Sequence, residues 1–151
     1  MYSSLPIPDT KPRYQIKWIW IHPSLLYIKA IEYLGRVITI QKQIQLKKRP
    51  TGVPTYDHFE FVEVPIEKPA KGEILLQTIY ISVDPYLRGR MNDTKSYIPP
   101  FKLNEAISSG VIGKVVESQS DLFEVGDFVI GSLGWQEFSI AKENTVRKID
   151  P

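Results

Sequence analysis

The chain of 151 residues contains no cysteine and only two histidines, His22 and His58. Without cysteine it can form no disulfide, thiolate nucleophile, iron–sulfur cluster or zinc site with sulfur ligands. Neither histidine has a second ligand at the spacing that metal sites use, so we expect no metal site. The lack of cysteine fits a reducing compartment, and we expect a cytoplasmic protein.

A long apolar run is also missing. The two most apolar stretches, residues 18–21 and 25–28, are divided by His22-Pro23, and both are far shorter than the roughly 20 residues that span a bilayer. The internal proline and the lack of a small-x-small cleavage site argue against a signal peptide. A net charge of +2 is too small to indicate nucleic-acid binding. We therefore expect neither a membrane nor a nucleic acid as partner.

The first 42 residues differ from the rest, because they carry a net charge of +4 against −2 for residues 43–151. Within them residues 23–34 fit a helix, with Pro23 in the first turn and Leu25, Ile28 and Ile31 on roughly one face. Three interpretations of this extension stay open. It is a poorly ordered segment, a helix that docks on the domain, or upstream sequence read from a start site placed too early.

Residues 43–151 have the pattern of a mainly β domain. Short segments rich in β-branched and aromatic residues alternate with proline and glycine turns, which is typical of a barrel or a sandwich. Short helical turns are expected after Pro85 and near residues 101–105, and glycines within a strand at Gly110 and Gly113 indicate a bulge or a close backbone approach. The predicted strands are residues 44–48, 59–64, 73–81, 110–116, 128–131, 135–140 and 146–149.

The longest predicted strand leads directly into an Asp84-Pro85 step. Proline has no N–H and restricts the residue before it, so the strand ends there and the chain turns at a sheet edge. This turn brings four polar or aromatic side chains close together: Tyr86, Arg88, Arg90 and Tyr97. A binding site would be built at this place, although spacing alone favours the alternative. The alternative is a plain strand end with two surface arginines and two half-buried tyrosines.

No motif in the sequence forms a self-sufficient catalytic site. Ser108-Ser109 has neither histidine near it in the sequence, and the context of a nucleophile elbow is missing. The run from Gly110 to Gly113 is too short to cradle a phosphate and is followed by a predicted strand instead of a helix.

Several motifs together resemble a known family. They are Arg49-Pro50-x-Gly52-x-Pro54, Gly72-Glu73-Ile74-Leu75, Ser82-Val83-Asp84-Pro85-Tyr86-Leu87-Arg88-Gly89-Arg90-Met91, Gly113-x-Val115-x-x-Ser118, Gly126-Asp127-x-Val129 and Gly131-x-x-Gly134-Trp135-Gln136-Glu137-Phe138. They are similar to the start of a zinc-independent medium-chain dehydrogenase/reductase, in the branch of NADPH-dependent curcumin reductase and the leukotriene B4 dehydrogenase/prostaglandin reductases. The resemblance covers roughly residues 43–151. It implies a GroES-like, partly open β-barrel with few short helices, followed in the family by a Rossmann domain that binds NADPH.

The resemblance also implies a reaction and site residues. Zinc-dependent members carry a ligand histidine where this chain has Ser109, which agrees with the lack of cysteine. The family transfers hydride from NADPH to the β-carbon of an α,β-unsaturated ketone or aldehyde, and a neutral donor such as a phenol stabilises the enolate that forms. Tyr97 matches the catalytic, substrate-binding loop tyrosine, and Tyr86 the substrate-binding residue below the nicotinamide end of the cleft. Arg88 either contacts a cofactor phosphate or braces the turn, and we favour bracing.

Nothing before Pro151 has the strand, glycine-rich turn and helix that hold a pyrophosphate. We therefore expect a fragment, a truncated gene product or an isolated domain, which neither binds NADPH well nor turns over an enone substrate alone. Apolar surface normally covered by a second domain would then favour self-association. The alternative function is a non-catalytic GroES-like binding module, with the aromatic N-terminal segment on a partner or over the exposed face.

Overall fold

The computed structural model describes residues 15–19, 28–33, 36–94 and 96–150, with side chains from residue 38 onward. Nine strands and one α-helix lie in these residues, together with short 3₁₀ turns at Tyr56–His58 and Glu143–Thr145. None of the described helices is long and apolar enough to cross a membrane. The elements are β1 Gln15–Ile19, β2 Ile28–Tyr33, β3 Arg36–Leu46, β4 Phe59–Pro65, β5 Glu73–Ile81, α1 Tyr86–Arg90, β6 Ser108–Ser118, β7 Phe128–Gly134, β8 Phe138–Lys142 and β9 Val146–Ile149.

The described residues form two compact units that divide between Thr39 and Ile40. In the first unit β2 pairs antiparallel with β1 and with the beginning of β3. The helix predicted over residues 23–34 is therefore wrong for Ile28–Tyr33, while residues 23–27 and 34 lie outside the described residues. Strand pairing on both sides satisfies the backbone of β2, and this tertiary partnership outweighs the helical spacing of its apolar residues.

The second unit contains most of the β structure. The rest of β3 pairs antiparallel with β4, from Ile40 opposite Pro65 to Leu46 opposite Phe59. The other strands form an antiparallel sheet in the order β8-β5-β6-β7-β9, with β8 and β9 at its two edges. The mainly β, partly open architecture predicted from the sequence is confirmed by these sheets.

Hydrogen bonds join the strand β3 to two segments that lie next to strands of the second sheet. The Ile44 amide donates to Trp135 O at 2.8 Å, and the Ile107 amide donates to Ile44 O at 3.1 Å. Further along, the Asn104 amide donates to Leu46 O at 2.8 Å. The helical turn predicted near residues 101–105 is wrong, because this segment forms a turn and a bend that carry the bond to Leu46.

Glycine allows the two central strands to approach closely. A Cβ on Gly113 of β6 would lie 3.1 Å from Gln77 O and 3.2 Å from Leu76 Cβ. The register between β5 and β6 shifts at Leu75/Leu76 and at Thr78/Tyr80. The close approach and the bulge expected from glycine in this strand are therefore both confirmed.

Two apolar cores lie in the second unit. The larger one fills one face of the five-stranded sheet, around Ile74, Leu76, Val111, Val115, Phe123, Val129, Leu133 and Ala141. The smaller one lies beneath α1 and consists of Leu46, Leu87, Met91, Phe101 and Ile107, with Ile44, Phe59 and Trp135 packed against it. The smaller core matters for function because it fixes the helix that follows the Asp84-Pro85 step.

Candidate functional site

The helix α1 begins directly after Pro85, whose φ of −56° already suits a helix. Leu87 and the C-cap residue Met91 are one turn apart and are both buried in the smaller core. Side chains four positions apart share a helix face, so this apolar pair anchors the helix. The opposite side of α1 presents Tyr86, Gly89 and Arg90 to a cavity.

This cavity, which we call the tyrosine cavity, has a volume of about 330 Å³. It contains both of the predicted substrate-binding residues. The Tyr86 side chain is 39% exposed and the Tyr97 side chain 88% exposed, so both phenols are accessible to a ligand. The volume suits a small molecule. Its lining residues are Tyr86, Gly89, Arg90, Asn92, Thr94, Ser96, Tyr97, Ile98 and Pro100.

Arg88 points away from this lining and ties α1 to the loop that follows β3. Its Nε donates to Gly52 O at 3.0 Å and its Nη2 to Pro50 O at 3.0 Å. Its Nη1 donates to Asn92 Oδ1 at 2.7 Å. The bracing contacts favoured from the sequence are thus present. A contact between Arg88 and a cofactor phosphate stays a prediction.

Two further arginines hold the same region, and the sequence assigned no role to either guanidinium. Arg49 Nη1 donates to Met91 O at 3.0 Å, and Arg49 Nη2 lies 3.7 Å from Asp93 Oδ1. Arg90 Nε donates to Pro99 O at 3.0 Å, and its Nη1 donates to Ser108 O at 3.3 Å. Two signals in the sequence pointed to these arginines: the motif around Arg49 and the clustering of Arg90 with the tyrosines. Neither signal identifies the acceptors, because these are backbone carbonyls.

Ser109, which the resemblance places at the position of a zinc-ligand histidine, has a structural partner here. It is 1% exposed, and Trp135 Nε1 donates a hydrogen bond to its Oγ at 2.8 Å. Within the described residues no group of three or more histidine, cysteine or acidic side chains is placed to hold a metal ion. His58 Nδ1 lies instead within hydrogen-bonding distance of the Thr55 hydroxyl and amide.

A second cavity of about 300 Å³ lies between the β3–β4 pair and the β8 edge, and sequence reasoning did not find it. Three glutamine side chains line it, of which Gln41 is 6% exposed and accepts a hydrogen bond from the Phe138 amide at 2.7 Å. Gln43 donates to Gln136, and Gln136 donates to Ser139 Oγ at 3.2 Å. These amides link β3 to β8 and to Gln136 in the segment before it.

Comparison with known families decides the classification. Residues 42–149 match the family model described as the N-terminal domain of oxidoreductase. The chain belongs to this family. The recognised resemblance to the zinc-independent reductase branch is confirmed by relatives that include curcumin reductase and prostaglandin reductase.

Several relatives carry descriptive names. YfmJ of Bacillus subtilis (strain 168), provisionally named an NADP-dependent oxidoreductase, is 54% identical over 110 residues, which are 73% of this chain and 32% of the relative. NADPH-dependent curcumin reductase of Escherichia coli (strain K12) is 38% identical over 104 residues, 69% of this chain and 30% of that protein. NADP(+)-dependent 2-alkenal reductase of Nicotiana tabacum is 37% identical over 103 residues, 66% of this chain and 30% of that protein.

Solved structures agree with this family. CurA from Vibrio vulnificus is 40% identical and superposes with a TM-score of 0.69, covering 72% of this chain and 32% of CurA. Its complex with NADPH gives a TM-score of 0.67. The chain therefore spans about a third of the length of the relatives that it matches.

Proposed function

We propose that residues 42–149 form the substrate-side domain of an NADP-dependent oxidoreductase that reduces the C=C bond of α,β-unsaturated ketones or aldehydes. The observation that carries this proposal is that Tyr86 and Tyr97 line one cavity of about 330 Å³. It is supported by relatives named curcumin reductase and 2-alkenal reductase. The cavity has room for a small enone, and its exposed phenols can donate to a carbonyl oxygen.

In this proposal Tyr97 is the catalytic residue. NADPH supplies the hydride that the β-carbon of the enone receives. Negative charge then develops on the carbonyl oxygen, and the Tyr97 phenol donates a hydrogen bond to that oxygen. Tyr86, on the first turn of α1, forms the floor of the cavity and packs against the substrate. A proton from solvent or from a tyrosine reaches the α-carbon and completes the reduction.

The fit of Arg88 to a cofactor is limited by the contacts that it already makes. An arginine has five N–H donors, and three of those of Arg88 are bonded to Pro50, Gly52 and Asn92. A contact to a cofactor phosphate therefore uses the two remaining donors.

We propose that the 151-residue chain alone does not bind NADPH at micromolar concentration. Isothermal titration with NADPH tests this, and a micromolar dissociation constant would overturn it.

The catalytic proposal is tested in a chimera. Residues 42–149 replace the matching part of YfmJ, the relative that is 54% identical, and reduction of benzylideneacetone is followed as loss of NADPH absorbance. We expect turnover by the chimera. Replacing Tyr97→Phe removes the hydroxyl alone and should lower kcat by about 10²-fold, the typical effect of one oxyanion donor.

A matched control tests whether the loss of a tyrosine hydroxyl outside the cavity also lowers kcat. Tyr56 is 87% exposed and lies in the 3₁₀ turn before β4, outside the lining of the tyrosine cavity. Tyr56→Phe should leave kcat unchanged. A folded chimera that binds NADPH and reduces no enone would contradict the proposal and favour a non-catalytic binding module.

A further inference from the structure

We propose that Arg90 is a positioning residue that holds the Tyr97 loop (described residues 91–94 and 96–100) in place over α1. The inference rests on the proposed function for the catalytic role of Tyr97, but the placement of the loop stands on contacts in the structure. Arg90 acts through Tyr97 and the loop backbone, and its own role needs no bond to the substrate.

The guanidinium of Arg90 contacts the segment 99–101 and the start of β6. It donates to Pro99 O at the end of the loop and to Ser108 O at the start of β6. Its Cζ lies 4.0 Å from the centroid of the Phe101 ring, which is 4% exposed. A cation stacked on a buried ring has a fixed plane, so both N–H bonds keep their direction.

The backbone of Arg90 reinforces this arrangement. Its carbonyl accepts from the Phe101 amide at 2.8 Å, so the same residue binds the returning segment, residues 99–101, through main chain and side chain. The two ends of the loop are therefore joined at Arg90 and Phe101. Because Phe101 belongs to the smaller core, the joint is anchored to the interior of the domain.

The start of the loop is held separately, because Met91 O accepts a hydrogen bond from Arg49 and Asn92 Oδ1 accepts one from Arg88. Among described residues 93, 94 and 96–100, the contacts recorded are the bond from Arg90 to Pro99 O and the ion pair of Asp93 with Arg49. Tyr97 itself is 88% exposed. Fixing a free backbone costs conformational entropy at every residue, so the part of the loop after Asn92, with these two tethers, depends strongly on each of them.

A lysine cannot replace this arginine. Its single ammonium group could stay above the Phe101 ring, but it lacks the planar fork that reaches Pro99 O and Ser108 O together. Arg90→Lys is therefore the second variant beside Arg90→Ala, because it keeps the charge and much of the packing. Arg147 on β9 is exposed and provides the matched control, Arg147→Ala.

Two NMR measurements on the purified 151-residue chain test the proposal. The first is the exchange rate of the Phe101 amide, and the second is the order parameter of the Tyr97 amide. In Arg90→Ala we expect the Phe101 amide to exchange at least about tenfold faster and the Tyr97 order parameter to fall below about 0.6, the range of flexible backbone. Arg90→Lys should change both in the same direction, and Arg147→Ala should change neither.

Chemical rescue separates positioning from a general loss of stability. Guanidinium at a sub-denaturing concentration should restore both values in Arg90→Ala, because it can occupy the site above Phe101, and should leave Arg147→Ala unchanged. If Arg90→Ala does not fold, Arg90→Lys with the same two measurements decides the question. An unchanged Tyr97 order parameter in a folded Arg90 variant overturns the proposal, as does a loss of order spread evenly over β6 and β7.

A substrate titration links the loop to the proposed function. Benzylideneacetone titrated into the same samples should bind Arg90→Ala about tenfold more weakly than wild type, because the loop must then be ordered on binding. Equal dissociation constants would contradict the positioning role. If wild type binds no benzylideneacetone, the result counts against the proposed substrate, the chimera still tests the proposed function, and the exchange and relaxation measurements still decide the role of Arg90.

Discussion

Trp135 Nε1 donates a hydrogen bond of 2.8 Å to Ser109 Oγ, and this bond joins β6 to the segment that leads into β8. Ser109 is buried on β6 with Val111 and Val115, its neighbours on the same face. A buried polar group is tolerated when it has a partner, and here the indole supplies the donor. Ser109, which the resemblance places at a zinc-ligand position, therefore serves here as a structural link.

Replacing Ser109→Ala should leave the indole N–H of Trp135 without its acceptor. The cost is that of an unsatisfied donor, so we expect the free energy of unfolding to fall by about 1–3 kcal/mol in urea titrations. Ser132→Ala, at an exposed position on β7, is the control and should change stability little. If Ser109→Ala combined with Trp135→Phe costs as much as the two single changes added together, the hydrogen bond has no such role.

Replacing Arg88→Lys should loosen the contact between α1 and the loop at Pro50 and Gly52. The lysine keeps the charge but loses the fork that bonds three oxygens, and the expected loss is about 1–2 kcal/mol in the free energy of unfolding. Arg147→Lys on β9 is the matched control. Equal stability of the two variants would show that the bonds of Arg88 contribute nothing measurable.

The ion pair of Asp127 and Lys148 predicts a pH dependence. Lys148 Nζ lies 2.6 Å from Asp127 Oδ1. The hydrogen bond from Lys148, and then the one from the Glu124 amide, lower the pKa of Asp127 below its ordinary value of 3.8. A carboxylate with a lowered pKa stabilises the fold above the unfolded pKa, and this contribution is lost as pH falls through the folded pKa.

Asp127→Asn should therefore be less stable than wild type at neutral pH, and the difference should shrink as the pH falls below about 4. The hydrogen bond to Asp127 also raises the pKa of Lys148 above 10.5, so the contribution of Lys148 is present below 10.5 and is lost as pH rises through its folded pKa. Urea unfolding from acid to alkaline pH measures how Asp127 and Lys148 each contribute to the free energy of unfolding. Asp121→Asn, at an exposed position, should show no such difference.

Gly131→Ala should destabilise the edge between β7 and β9. An added Cβ would lie 2.7 Å from Val146 Cγ1 and 3.2 Å from Thr145 O, closer than atoms pack without movement. We expect a loss of about 1–3 kcal/mol, seen as a lower Tm in calorimetry. Gly52→Ala is the control, because no atom lies within 4 Å of its added Cβ. A Tm equal to that of Gly52→Ala would mean that Val146 adjusts without cost.

Local sequence signals predicted the second unit better than the first. The strand β5, Glu73–Ile81, agrees in both bounds with the prediction because Gly72 and the Asp84-Pro85 step limit an unbroken β-forming run. The prediction was wrong for β2, where antiparallel neighbours replace a helical spacing. The predicted start of β6 was two residues too late, and the segment predicted for β8 began and ended too early. Cross-strand pairing decides where a strand begins and ends.

The candidate site, too, was predicted only in part from the sequence. The Asp84-Pro85 step predicted the turn, and the resemblance singled out Tyr86 and Tyr97, which line one cavity. The roles of Arg49 and Arg90 could not be predicted, because their acceptors are the carbonyls of Met91, Pro99 and Ser108. Any residue type can present a carbonyl, so only the folded loop shows which ones meet a guanidinium.

The sequence by itself determined the mainly β class, the turn after β5 and the membership of an oxidoreductase family. These depend on residue types, on the limits that proline and glycine place on the backbone, and on motif spacing. Tertiary structure alone decided that Ser109 bonds to Trp135 and that Arg90 joins both ends of the Tyr97 loop. Those contacts link residues that are not neighbours in the sequence, and they exist only after strands have paired and the small core has closed beneath α1.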